Sequence, residues 1–245
     1  MKLVLFVLVG CCGILVGCQD KKKTDQLKED SVKEKQRDSS VLTNSEINQK
    51  VQEKSTFPKI TNENAVAFFT EYGSQNPETK VRITAFNGTV KDSIDIQLYK
   101  DTPLHRANFI FLVKQGYFNS TFFHRVAPNF IIQGGDSDNV NTAKQRTEIG
   151  NKYLLPAELT NNRKHTYGSI SGAKEYRENP DNRTAPFEFF IFLGPDSNGI
   201  HLNGTYTIFG KVTRNMKFVE TIANLPADDG EWPLENVYIQ AKVID

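Results

Sequence analysis

Apolar and polar residues alternate in short runs from Val81 onward, the period of half-buried strands. Val81-Arg82-Ile83-Thr84-Ala85-Phe86 is the first run, Asn87-Gly88 is a hairpin turn signal, and Ile94-Asp95-Ile96-Gln97-Leu98-Tyr99 alternates again. Further strands are predicted over Thr121 to Ala127, Phe130 to Gln133, Ser169 to Ala173, Phe187 to Leu193 and Thr207 to Val212, and the chain closes on the alternating run Val237 to Ile244. Helical spacing occurs in three places. Thr61 is a candidate N-cap for a short helix with Val66, Phe68 and Phe69, running to about Tyr72 and stopped by Gly73. Asp101 or Thr102 caps a helix carrying Ala107, Phe109, Ile110, Leu112 and Val113, ended near Gly116; a third spans about Met216 to Ala223. Many short strands with two substantial helices predict a mainly β fold, a closed antiparallel barrel without exposed edges. Ser137 to Thr166 is polar and turn-rich apart from Tyr153 to Glu158, and reads as a long excursion over the barrel surface.

Upstream of Val81 the pattern differs. Lys2 is followed by an uncharged apolar run from Leu3 to Gly17, the length of a signal-peptide core and short for a membrane span. It ends in Leu15-Val16-Gly17-Cys18, which resembles the lipobox of bacterial lipoproteins and makes Cys18 the expected lipidation site. Leu8-Val9-Gly10-Cys11 also fits, after a shorter apolar run; an uncleaved anchor is the plainer alternative. From Gln19 to about Phe57 the chain is Lys, Asp, Glu, Gln and Ser with isolated aliphatics, the composition of a flexible, charge-balanced tether. The expected organisation is a signal peptide over 1–17, a lipidated tether over 18–57, a helical extension over 58–80 and a folded domain over 81–245. The expected location is the bacterial cell envelope, lipid-anchored, periplasmic or at the cell surface.

Composition narrows the function classes. An apolar share of 38% suits a folded domain plus a solvated segment. A net charge of +1 gives no electrostatic footprint for nucleic acid, which is set aside as a partner. All three cysteines precede Gln19, so no disulfide or thiolate metal site is expected in the folded domain, and the four histidines lack metal-ligand spacing.

The run Phe123-His124-Arg125-Val126-Ala127-Pro128-Asn129-Phe130-Ile131-Ile132-Gln133-Gly134-Gly135-Asp136 resembles the signature of the cyclophilin family of peptidyl-prolyl cis/trans isomerases. Asn108-Phe109 and Gly116-Tyr117-Phe118 before it, and Phe189-Phe190-Ile191, Leu202-Asn203-Gly204 and Phe209-Gly210-Lys211-Val212 after it, follow in the family's order. The resemblance covers about Val81 to Asp245. It implies an eight-stranded antiparallel barrel capped by two helices, with the substrate groove on its outer face. The short helix before it resembles an extension of some lipoprotein members from Bacteroidetes-like bacteria.

The implied reaction needs no nucleophile, metal or cofactor. Rotation about an X-Pro bond is slowed by a barrier of roughly 18–20 kcal/mol from amide resonance, and catalysis means stabilising the twisted amide, whose prolyl nitrogen gains a lone pair. A charged, multi-donor guanidinium suits that nitrogen and the neighbouring carbonyl. The resemblance implies Arg125 in this role, Gln133 orienting the guanidinium and donating to the peptide, and Phe130, Ile131, Phe190, Leu202 and Tyr206 around the proline ring. Ala173 and Lys174 fall on the strand that pairs with the substrate backbone. The partners implied are proline-containing polypeptides, met by a monomer that touches membrane only through its lipid.

Departures from the family pattern bear on the site. Glu188 replaces a glutamine beside the pocket and places a carboxylate near Arg125, with which it is expected to pair; Lys174 replaces asparagine, and Tyr206 replaces histidine. His201 stands where many members carry tryptophan, so weak binding of cyclosporin-type inhibitors is expected. The loop from Glu175 to Pro186 lacks the family's glycines. Beside an active isomerase stand two other readings: a module that binds proline segments with little turnover, favoured by Glu188 and Lys174, and a surface lipoprotein using the barrel as scaffold.

Overall fold

Alternation in the sequence becomes an inward-facing core because successive strand side chains point to opposite faces. The computed structural model describes residues 57–159, 162–174 and 178–244. Within them β1 (Lys80–Phe86), β2 (Lys91–Leu98), β3 (Phe122–Ala127), β4 (Ile131–Asp136), β5 (Ser169–Lys174), β6 (Thr184–Phe192), β7 (Ile208–Arg214) and β8 (Val237–Val243) form a closed antiparallel barrel. The strand order is β1-β2-β7-β5-β6-β4-β3-β8, closing on β1. Register sets the apolar layers: Val81 faces Ile96, and Ile83 faces Ile94 on one side and Ala241 on the other. The turn read from Asn87-Gly88 joins β1 to β2, with the Asn87 side-chain oxygen accepting from the amides of Thr89 and Val90 at 2.8 Å each.

The chain also forms α1 (Ala65–Gln75), α2 (Pro103–Lys114), α3 (Val140–Ile149) and α4 (Met216–Ala223). α2 and α4 are the two helices capping the barrel; Ala107 and Phe109 to Val113 of α2 and Phe218, Val219 and Ile222 of α4 join its core. Neither Thr102 nor Asp101 supplies the side-chain cap of α2. The Glu158 carboxylate, 53 residues from His105, accepts from the amides of Leu104 and His105 at 3.1 and 3.0 Å and from His105 Nδ1 at 2.6 Å. It satisfies orphan N–H groups that the helix itself leaves open.

Two expectations are corrected. Gly73 does not stop α1, which runs on to Gln75. It is a close-approach glycine: a Cβ there would meet Ala107 Cβ at 3.0 Å, and its carbonyl accepts from Arg106 Nη2 at 2.8 Å. Phe57, Phe68 and Tyr72 complete this packing around Phe111, with ring centroids 4.8, 5.4 and 5.2 Å away. The excursion from Ser137 to Thr166 contains a regular element, α3, started by Asn139, whose side chain accepts from Asn141 N at 2.9 Å. Only Thr142 and Ile149 of α3 are buried, so no apolar period announced it. The signal peptide, Cys18 and the tether up to residue 56 lie outside the described residues.

Candidate active site

β3 delivers Arg125 to the barrel's outer face. After Ala127 the chain turns through Asn129, whose φ of 59° is a left-handed conformation that asparagine tolerates, and Phe130 N donates back to Ala127 O at 3.1 Å. β4 then returns antiparallel, placing Gln133 opposite Arg125 and Ile131 opposite Ala127. Gly135 lets β4 approach β6: a Cβ there would lie 2.2 Å from Phe187 O. β6 contributes Phe190, paired with Gln133 across the ladder.

The remaining walls come from two connections. A 3-10 helix over Asp196–Leu202 carries His201 and Leu202, and His201 stacks on Phe130 with centroids 5.7 Å apart. Tyr206 meets the Phe190 ring edge-on at 5.6 Å, and Lys174 Nζ sits 5.1 Å from the Tyr206 ring centroid. A shift of register between Gly172 and Lys174 leaves Ala173 without a directly opposed β6 partner, a bulge that turns the strand end. β7 pairs with β5 only as far as Ser171, so Ala173 and Lys174 extend past it to the groove.

Arg125, Phe130, Ile131, Gln133, Ala173, Lys174, Phe190, His201, Leu202 and Tyr206 thus line one cavity of about 220 Å³. Ala127, Ile131, Phe190, Phe192 and Leu202 form an apolar cluster of their own, joined by Phe130 and Tyr206 and separate from the barrel core. His165 backs this wall, its ring 5.8 Å from Phe190 and nearly parallel, pinned by Ser171 Oγ and Asn203 Oδ1 at 2.9 Å each. An apolar pocket beside a guanidinium is chemically suited to a ring next to an amide whose nitrogen regains its lone pair as it twists.

This geometry meets its relatives at the sequence level. Residues 80–243 match the family described as cyclophilin type peptidyl-prolyl cis-trans isomerase. The chain belongs to the cyclophilin family. A peptidyl-prolyl cis-trans isomerase of Acinetobacter baylyi is 37% identical over 138 residues, 55% of this chain and 68% of that protein. One from Arabidopsis thaliana is 32% identical over 148 residues, 60% of this chain and 84% of its own length. A Cryptosporidium parvum cyclophilin of known crystal structure superposes with a TM-score of 0.55 at 26% identity, over 69% of this chain and 98% of that one. The same Cryptosporidium protein has been crystallised in the presence of the dipeptide Ala-Pro, with a TM-score of 0.53, 26% identity and coverage of 68% and 99%.

Within this cyclophilin Glu188 departs from the expectation. It does not line the cavity and does not pair with Arg125. Its carboxylate sits behind Gln133, accepting from Gln133 Nε2 at 2.9 Å, with His124 Nε2 at 3.6 Å and Arg146 Nη2 at 3.8 Å. A carboxylate only accepts, so the Gln133 amide turns its nitrogen toward Glu188 and gives it one of its two N–H donors. Burial holds the His124 imidazole below its ordinary pKa, against the opposite pull of Glu188 and Asp136.

Two residues of this neighbourhood carried no signal in the sequence. Arg146, on the unforeseen α3, ties Glu188 to Asp136 at 3.0 Å, to the Gly135 carbonyl at 3.0 Å and to the Tyr117 hydroxyl at 2.7 Å. Glu231 accepts from Arg125 Nε at 2.5 Å across 106 residues. The turn signal Asp228-Asp229-Gly230 beside it was readable, but nothing local links that turn to β3.

Proposed function

We propose that this cyclophilin accelerates X-Pro bond rotation in exported proteins at the bacterial envelope, assisting their folding. Arg125 and nine other expected groove residues converging on one cavity carry this reading. A substrate proline ring fits against Phe130, Ile131, Phe190, Leu202 and Tyr206, and the Ala-Pro dipeptide used with the Cryptosporidium relative is the kind of ligand this pocket suits. Arg125 then faces the prolyl nitrogen, where its positive charge favours the twisted amide over either planar isomer. Gln133 and the β5 end at Ala173 and Lys174 align the peptide backbone. Each cis or trans product leaves with all bonds unchanged, so no proton donor or acceptor is needed.

The envelope assignment rests on Leu15-Val16-Gly17-Cys18 and the charge-balanced stretch after it. Lipidation at Cys18 with several acyl chains gives stable anchoring, which one chain alone does not. Radiolabelled palmitate incorporated in a bacterial host and lost on Cys18→Ser supports the anchor; equal labelling of both proteins overturns it.

Exchange spectroscopy on an Ala-Pro peptide tests the activity. Full-length protein at catalytic concentration is expected to raise the cis/trans exchange rate, and Arg125→Ala to lose that acceleration. Peptide shifts that report binding with no gain in exchange would identify a proline-binding module instead.

A further inference from the structure

We propose that Glu231 is a positioning residue for the isomerisation: it holds the Nε edge of Arg125 so that both Nη groups face the bound prolyl peptide. The inference rests on the role given to Arg125 above. Among the described residues Glu231 is the hydrogen-bond partner of Arg125, at 2.5 Å. Gln133, directly opposite on β4, is held by Glu188 through its amide nitrogen, and the Phe130 ring centroid lies 5.8 Å from the guanidinium carbon, so Glu231 is the charged acceptor on the Nε edge. A guanidinium has five N–H donors in a rigid plane, so fixing Nε fixes where the other four point.

The chain is strained to deliver this carboxylate. Glu231 has a φ of 64°, a left-handed conformation unfavourable for a residue with a Cβ. The turn that imposes it is tied internally through Asp228, whose side-chain oxygen accepts from Gly230 N at 2.8 Å and Trp232 N at 2.9 Å. Asp228 O also accepts from Glu231 N at 3.0 Å. It is tied to the strand that bears Arg125 as well, Val126 N donating to Glu231 O at 2.8 Å. Trp232 packs on Phe122 and His124 of that strand, with centroids 5.6 and 5.8 Å apart. Backbone and side chain of Glu231 thus grip two consecutive residues of β3.

Stability does not account for the arrangement. The pair is half-exposed, with side-chain exposures of 32% for Arg125 and 44% for Glu231, and such pairs add little to folding. Orientation of a transition-state contact is where so small an interaction has a large effect.

The test compares the full chain with Glu231→Gly, Glu231→Gln and Arg125→Ala, measuring kcat and KM on an X-Pro peptide, Tm, and the Arg125 Nε–H resonance. Glycine accepts the left-handed conformation, which offsets its entropic cost, so Tm of Glu231→Gly is expected to hold. Its kcat is expected to fall about tenfold, the scale on which small misplacements act. Its KM should move by less than about twofold, as for an interaction made in the transition state. The Nε–H resonance should shift and exchange faster. Glu231→Gln keeps an acceptor without the charge and should recover part of kcat. If Arg125→Ala is inactive while Glu231→Gly keeps or exceeds wild-type kcat, the positioning role is wrong. If Arg125→Ala keeps full activity, the role given to Arg125 fails first and this inference with it.

Discussion

Gln133 shows how one side chain's chemistry settles another's orientation. Glu188 can only accept, so the amide turns its nitrogen toward it, while Arg125, which only donates, is held by the Glu231 carboxylate. Glu188→Leu is expected to lower kcat/KM several-fold by freeing Gln133, whereas Glu188→Gln, which keeps an acceptor, retains most activity. Equal peptide kinetics in all three proteins would contradict that coupling. The groove residues were legible because the signature is contiguous: β3, a three-residue turn and β4 bring Arg125, Phe130, Ile131 and Gln133 together without help from the rest of the chain. Glu188 was legible as a departure but not in its pairing, which depends on Arg146 from a polar helix. Glu231 was not legible, since its link to Arg125 exists only once β8 lies beside β3.

Among the elements, strands were readable from alternation because one face of each is buried, and their ends moved by a few residues. Helices were readable only where an apolar stripe exists. Gly73, a stop signal in isolation, proved to be a contact between α1 and α2. Its substitution reverses a usual sign. Gly→Ala in a helix interior ordinarily stabilises by about 1 kcal/mol, but here the added methyl meets Ala107 Cβ at 3.0 Å and Arg106 Nη2 at 3.2 Å. Gly73→Ala is therefore expected to destabilise by about 1–3 kcal/mol, as overpacking does, in urea unfolding; an increase in stability would refute the close packing of α1. The remote cap of α2 gives a second expectation. Glu158→Ala leaves His105, 2% exposed, and two helix amides without their acceptor. The expected loss is about 1–3 kcal/mol for a buried donor left unpaired. A urea midpoint matching wild type would show that another group, or water, caps the helix.

At the scale of the molecule, the groove cluster lies apart from the barrel core, and its substitutions are expected to report on activity more than on stability. Stability should instead follow groups that titrate in the fold. His124 and His165 have pKa values lowered by burial. Above the unfolded value near 6.5 both states are neutral; below it the unfolded chain takes the proton first, so stability falls as pH drops. Asp95, bonded to Arg82 and Arg214, is held well below the usual carboxylate range, and its contribution is present above about pH 4 and lost as pH falls further. Tyr167, pushed up to about 12 by burial and by Glu220, favours its neutral form. Above about pH 10 the unfolded chain deprotonates first, so stability is lost on the alkaline side. Urea midpoints from pH 4 to 11 should trace a plateau falling at both ends; a flat profile below pH 6.5 would contradict the buried neutral histidines.

Isomerisation is expected to depend on Arg125 acting on the prolyl amide. Arg125→Lys tests it most directly, because lysine keeps the charge and loses the planar fork. Measured by cis/trans exchange of an X-Pro peptide under the full-length protein, the substitution should lower kcat/KM by at least about tenfold, or 1.36 kcal/mol in the barrier. Tm should stay near wild type, as for a groove residue outside the core. An unchanged exchange rate in a folded Arg125→Lys protein would contradict the assignment of the guanidinium to the transition state.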